Sequence, residues 1–202
     1  VGSGAIIAAY EQAATPARIA AWEGIDSNTL LMPILSFLPP NGARLLDVGA
    51  GTGRDAAWLA AKGHRITAVE PAAALRKAGE RLHARTGIEW IDDRLPQLPS
   101  LEQRRFDAIL SVAVWQHLDR NGRAEATTRL AHLLEPDGVL LLSLRHGPGA
   151  SDRPVFPCDP LETIGDAART GLRLLKRTEA ESLQPGNRAT GVSRTWLAFA
   201  RT

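Results

Sequence analysis

"RLLDVGAGTGRDAAWLAAKGHRITAVEP", Arg44 to Pro71, decides how the rest of the chain is read. "ARLLDV" is an apolar run of strand length, "RDAAWLAAKG" carries a helical pattern that Gly63 stops, and "HRITAVE" is a second strand. The stretch is a strand–turn–helix–strand unit whose first turn holds Gly49, Gly51 and Gly53. Glycine lets a chain turn sharply and lets a ligand lie against the main chain. In an open parallel sheet the ligand crevice lies beyond the carboxyl ends of the strands, so a ligand is expected at this loop.

The carboxylates around the loop indicate the ligand's charge. A nicotinamide-binding loop reads GxGxxG, with a pyrophosphate at the helix N-terminus. Here the third glycine position is Arg54, and Asp47 stands at the mouth, where it would repel a pyrophosphate. A ligand with cationic groups reverses that argument. Glu70 closes the second strand, 21 residues beyond Gly49, near the spacing at which an acid takes a ribose diol.

Outward from this unit, strand and helix patterns alternate, which predicts an α/β fold with a parallel sheet and helices on both faces. "AIIAAYEQAATPARIAAW" reads as helix broken near Pro16, and "SNTLLMPILSFL" as a second helix capped by Ser27. "AAALRKAGERLHART" is a helix, "IEWI" a third strand, "FDAILSVAV" a fourth and "GRAEATTRLAHLL" a helix. "EPDG" reads as a tight turn, and "VLLLSLR" as a fifth strand apolar enough for the middle of the sheet. "LETIGDAARTG" is a last helix. "LRLLKRTEAES" and "SRTWLAFAR", joined by "LQPGNRATGV", alternate with period two and predict a closing hairpin, hence an antiparallel edge. The expectation is one domain over residues 1–202, with amino-terminal helices at 1–40 serving as a lid and a substrate loop at 147–160.

Composition narrows the function classes. At 202 residues, 44% hydrophobic and 23% charged, the chain has the profile of a soluble globular protein. A formal charge of +2, with acids and bases interspersed, gives no clustered basic face for nucleic acid. Cys158 is the only cysteine, so neither an internal disulfide nor a thiolate zinc cluster can form. No apolar run approaches the ~20 residues of a membrane span. The start, "VGSGAIIAAYEQ", lacks the charged leader and long apolar centre of a secretory signal, so a cytoplasmic protein is expected.

"LLDVGAGTGRDAAWLAAKGHRITAVEP" resembles the first motif and following acidic strand end of class I S-adenosylmethionine-dependent methyltransferases. "FDAILSVAVWQHL" and "LLEPDGVLLLSLR" resemble that family's fourth-strand and fifth-strand motifs, in order and spacing. The likeness is close over residues 40 to 146 and loose elsewhere. It implies a Rossmann-like three-layer sandwich whose seven-stranded, mostly parallel sheet has the order 3-2-1-4-5-7-6, strand 7 antiparallel. It also implies S-adenosyl-L-methionine as cofactor and S-adenosyl-L-homocysteine as product. Asp47 and the backbone of Gly49, Ala50 and Gly51 would hold the methionine portion, and Glu70 with Pro71 the ribose. "WIDDRLPQL" offers both Asp92 and Asp93 to the adenine amino group. Alignment of the following "LP" favours Asp93, with Arg94 adding a backbone contact.

The acceptor side is expected past strands four and five. Ser111 and Trp115 are placed on the cofactor, Trp115 either walling the adenine or acceptor or packing the next helix. His117 and His146 are the candidate bases, since imidazole titrates near neutrality. Arg145 would clamp a carboxylate or phosphate of the acceptor or pair with an acid. Tyr10 and Trp22 would cover the cofactor or pack the core. "SVAVW" lacks the Asn/Asp-Pro-Pro-aromatic segment of a purine-methylating DNA enzyme, and the cysteine count rules out a zinc-assisted thiol methyltransferase. The reading is a methyltransferase acting on an oxygen or nitrogen of a small molecule, as monomer or homodimer, without metal, nucleic acid or membrane. Its rivals are a nicotinamide-dependent oxidoreductase and a non-catalytic S-adenosylmethionine-binding protein.

Overall fold

The computed structural model describes residues 3–150, 153 and 155–201. Two helices open the chain, α1 (Ser3–Ala13) and α2 (Pro16–Glu23), separated at the expected break. The Thr15 hydroxyl caps α2 by accepting from Arg18 N, and Pro16 sits in the first turn, where its missing N–H leaves no bond unmade. The second expected helix is split into α3 (Ser27–Leu31) and a 3₁₀ turn, Met32–Phe37, because Pro33 cannot continue the α-helical ladder. Its cap is Asp26 rather than Ser27: the Asp26 carboxylate accepts from Asn28 N and Thr29 N. Ser27 is buried and donates instead to Asp55 at 2.6 Å.

The remaining elements are β1 (Arg44–Val48), α4 (Arg54–Ala61), β2 (Arg65–Val69), α5 (Ala73–Leu82), β3 (Glu89–Ile91), β4 (Phe106–Val112), α6 (Arg120–Leu133), β5 (Leu134–His146), α7 (Pro160–Arg169), β6 (Leu172–Glu181), α8 (Pro185–Ala189) and β7 (Ser193–Arg201). They build one seven-stranded sheet in the order β3-β2-β1-β4-β5-β7-β6. The first five strands pair in parallel, while β7 runs antiparallel to both β5 and β6. Two local readings change. "EPDG" is a bulge inside β5, with Asp137 at φ +63° and the β4 register jumping from Phe106↔Leu134 to Ala108↔Val139. The link between β6 and β7 is not plain loop but contains α8.

Alternating side chains feed two apolar layers, as a sheet covered on both faces requires. Leu46, Val48, Ile109, Leu140 and Leu142 pack with Leu130 of α6 and Ala167 of α7. Leu45, Ile66, Ala68, Leu110, Leu141 and Trp196 pack with Leu30 and Leu31 of α3 and Ala56 and Leu59 of α4. The strand order reverses between β1 and β4, and in such sheets that is where a crevice opens at the carboxyl ends.

Candidate functional site

The glycine loop leaves β1 at that reversal. Gly49, Gly51 and Gly53 have φ of +74°, +60° and +80°, the left-handed region. Their reasons differ. A Cβ on Gly49 would lie 2.3 Å from Val114 Cγ2, and one on Gly53 would lie 2.5 Å from the Trp90 ring. A Cβ on Gly51 would meet nothing within 4 Å. Two of the glycines are therefore packing requirements, and the third faces the open space of a cavity. The loop is anchored to β2 by Gly49 N and Ala50 N, which both donate to Val69 O, and by Gly51 N, which donates to Glu70 Oε2 at 2.7 Å.

Asp47, Glu70 and Asp93, from the ends of β1, β2 and β3, all line this one cavity with Gly49, Ala50, Gly51, Pro71 and Arg94. The three acids are only 4%, 6% and 8% exposed, so each faces the cavity rather than bulk water. Glu70 also accepts from Ala72 N at 2.8 Å, and burial raises its pKa against the pull of those two backbone N–H groups. Asp93 accepts from Arg94 N and Ser100 N, one on each oxygen, and thereby holds the segment 94–100, of which Arg94 and Leu95 line the cavity. Asp47 is the exception: among the described residues nothing donates to its carboxylate. Burial first, then the Asp55 carboxylate, hold its pKa well above the usual carboxylate value, with Arg54 opposing. A buried, unpartnered carboxylate in an acidic cavity calls for a cation.

The amino-terminal helices cover the loop. Arg54 donates to Trp22 O at 2.9 Å, Thr52 Oγ1 donates to Glu23, and Ala74 N of α5 donates to Glu11 at 3.0 Å. Tyr10 and Trp22 line the cavity. The Tyr10 hydroxyl lies 3.0 Å from His117 Nε2, the two rings stand edge-on at 5.5 Å, and Arg153 sits 4.9 Å over the Tyr10 ring. His117 belongs to the 3₁₀ turn Trp115–His117 after β4, and it too faces the cavity. Of the expected substrate loop 147–160, positions 151, 152 and 154 lie outside the described residues.

Five expected site residues stand elsewhere. Asp92 is two-thirds exposed and paired with Arg76 at 2.8 Å. Trp115 is in the core, its Nε1 donating to Thr163 Oγ1, which decides for helix packing over a wall of the site. Ser111 is buried and donates to Val48 O, tying β4 to the end of β1 beneath the glycine loop. His146 and Arg145 do not line the cavity. Thr195 Oγ1 gives its one proton to Glu179, so at 2.7 Å it must accept from His146 Nε2, and that nitrogen is a donor, not a base. Arg145 donates to the carbonyls of Gly147 and Pro148.

Sequence reasoning missed other residues of the cavity wall. Val112, Ala113 and Val114 reach it through a bend at Ala113, whose φ is +57°. Asp55 adds a fourth carboxylate, chelated by Arg54 through Nε and Nη2. Arg194 of β7 lines it as well, directly across the antiparallel register from Arg145. The Arg145↔Arg194 pairing depends on the β5–β7 register, which the sequence does not display.

Residues 45–138 match the family model described as "Methyltransferase domain". Over 110 residues the chain is 36% identical to the ubiquinone biosynthesis O-methyltransferase of Xylella fastidiosa, covering 52% of this chain and 43% of that protein. The chain thus spans less than half the length of that relative. Among solved structures, a TehB-like SAM-dependent methyltransferase from Corynebacterium glutamicum superposes with TM-score 0.69 at 24% identity, over 96% of this chain and 99% of that one. The 1,6-didemethyltoxoflavin-N1-methyltransferase of Burkholderia thailandensis, solved with its substrate and S-adenosylhomocysteine, gives TM-score 0.74 at 19% identity, over 99% and 88%.

Proposed function

We propose that the chain is a class I S-adenosylmethionine-dependent methyltransferase, as its methyltransferase-domain match and its relatives support, and that it moves a methyl group from S-adenosylmethionine to an oxygen or nitrogen of a small molecule. One observation carries the reading: Asp47, buried and without a donor among the described residues, faces a cavity beside the glycine loop. An ammonium neutralises that carboxylate; a pyrophosphate would meet three carboxylates there that no cation pairs with among the described residues, Asp47, Glu70 and Asp93, Asp55 being held by Arg54. The same count weighs against a nicotinamide cofactor.

In this reading Asp47 and the backbone of residues 49–51 hold the methionine end. Glu70 keeps lone pairs for the ribose hydroxyls beyond those given to Gly51 and Ala72, and Asp93 with Arg94 takes the adenine. Bound there, S-adenosylmethionine supplies the methyl group and a neutral thioether leaving group. The protein's part is alignment, which can contribute ~7–11 kcal/mol by proximity and orientation. Tyr10 and His117 close the cavity from above, and their hydroxyl–imidazole pair accepts a proton from the acceptor if its nucleophile is a hydroxyl. Val112–Val114 and Arg194 line the same cavity outside the residues assigned to the donor, which supports an enzyme over a non-catalytic binder.

The proposal extends to one domain over 1–202 working in the cytoplasm as a monomer or homodimer, without nucleic acid. A single continuous sheet and a lone cysteine support it. Among the described residues no helix is long and apolar enough to cross a membrane. Calorimetric titration is the test. S-adenosylmethionine and S-adenosylhomocysteine are expected to bind near one to one and reduced nicotinamide cofactor not at all; the opposite pattern reverses the reading.

A further inference from the structure

Arg194 is 8% exposed and lines the cavity, yet its guanidinium has little to hold. Nη1 donates to the Ser143 hydroxyl at 3.2 Å, and Nε is buried without any partner. No carboxylate pairs with it among the described residues. Its neighbours sharpen the anomaly. Arg54 is chelated by Asp55 and bonded to Trp22 O, and Arg145 is engaged by two carbonyls. Arg123, equally buried, has Leu118 O and the Glu162 carboxylate. Burial, with the Arg54 and Arg145 charges, pulls the Arg194 pKa down to about 10 against the Asp55 carboxylate, so the group remains a cation at neutral pH with no anion in hydrogen-bonding contact among the described residues. A buried cation without a counter-ion is strongly disfavoured unless something completes it.

The residue's place in the sheet says what completes it. The acids assigned above to the donor stand at the ends of β1, β2 and β3; Arg194 stands on β7, beyond β4 and β5. The charges acting on Asp47 are Asp55, Arg54 and Glu70, whereas those acting on Arg194 are Arg54, Arg145 and Asp55. The Arg54–Asp55 pair lines the same cavity and acts on both groups. Guanidinium geometry matches a carboxylate through two parallel N–H donors. We infer that the methyl acceptor carries a carboxylate, and that Arg194 binds it in the β7 wing of the cavity. The inference rests on the methyltransferase reading and narrows its substrate class.

The test uses the full chain loaded with S-adenosylhomocysteine, titrated with 4-hydroxybenzoate and with its neutral isostere 4-hydroxybenzamide. The carboxylate is expected to bind at least about tenfold tighter. Arg194→Met abolishes that preference and Arg194→Lys keeps part of it, while S-adenosylhomocysteine affinity is unchanged in both. Equal affinity for the two probes, binding of neither, or a preference that survives Arg194→Met overturns the proposal. So does an Arg194→Met protein that binds S-adenosylhomocysteine weakly but its decarboxylated analogue normally, because Arg194 would then serve the donor's own carboxylate. The wild-type comparison alone decides the case should the variants not fold. Failure of the wild-type protein to bind S-adenosylhomocysteine breaks the earlier reading instead, and the two probes are then compared on the protein alone.

Discussion

The two ends of the cavity are built by opposite means. At the β1–β3 end, Asp47, Glu70 and Asp93 stand at three adjacent strand tips, and two of them are fixed by backbone N–H groups, Glu70 from its own loop and the glycine loop, Asp93 from the residues that follow it. At the other end, Tyr10, His117 and Arg194 come from α1, the turn after β4 and β7, and line one cavity only because helix packing and an antiparallel register bring those elements to it. The first end is acidic and locally encoded; the second contains an unpaired cation and is assembled over long range. One end can keep its chemistry while the other varies its acceptor, since no segment of chain is shared between them.

Substitutions can break that division, and the glycine loop should give the largest effect. Gly49→Ala forces a Cβ to within 2.3 Å of Val114 Cγ2 at φ +74°. Left-handed strain and overpacking together should cost roughly 2–5 kcal/mol, read as a lowered denaturant midpoint. Gly51→Ala has the same kind of strain but open space, so about 1–2 kcal/mol is expected. Because its methyl enters the cavity, it should nevertheless weaken S-adenosylhomocysteine. Equal stability losses for the two variants would remove the distinction between packing glycine and ligand glycine.

Next comes Asp47→Asn. Losing a charge-assisted contact of ~1.5–3 kcal/mol should weaken S-adenosylhomocysteine about ten- to a hundredfold. The ligand-free protein should behave oppositely. A carboxyl with a raised pKa in the folded state binds more protons folded than unfolded, so its penalty is absent at low pH and grows as pH rises from the usual 3.8 through the raised value. Asp47→Asn should therefore flatten the fall in stability across that window, and wild-type affinity for the cationic ligand should rise with pH across it. A variant with an unaltered pH–stability profile would show that Asp47 is not the group under strain.

What could be read in advance follows the same division. The Asp47-to-Glu70 stretch was legible because each residue's role depends on near neighbours: a strand, a turn needing positive φ, a helix and a strand end. The sheet order followed from the family resemblance. Trp115, Ser111 and His146 misled because sequence shows a residue's chemistry but not its direction. Trp115 turns toward Thr163, Ser111 toward Val48 O and His146 toward Thr195. Arg194 was invisible as a functional residue, since its lack of a partner is a property of the folded packing. Ser27 was misassigned because Asp26, one residue earlier, competes better for the helix N–H groups while Ser27 reaches Asp55.

The smallest contrast is between two neighbours, Asp92 and Asp93. The Asp93 oxygens each accept a backbone N–H, from Arg94 and Ser100, inside a buried wall. Asp93→Ala leaves both donors unsatisfied, at ~1–3 kcal/mol each, so several degrees of melting temperature should be lost along with donor affinity. Asp92→Ala removes only an exposed ion pair, worth about 0–1 kcal/mol. Its partner Arg76 also donates to Glu70 O at 2.6 Å and keeps that bond when Asp92 is gone. Melting temperature should stay within ~2 °C and S-adenosylhomocysteine affinity within about twofold. A larger loss of affinity from Asp92→Ala than from Asp93→Ala would mean that the exposed carboxylate swings inward to the adenine, and the wall at Asp93–Leu95 would no longer mark where the donor ends.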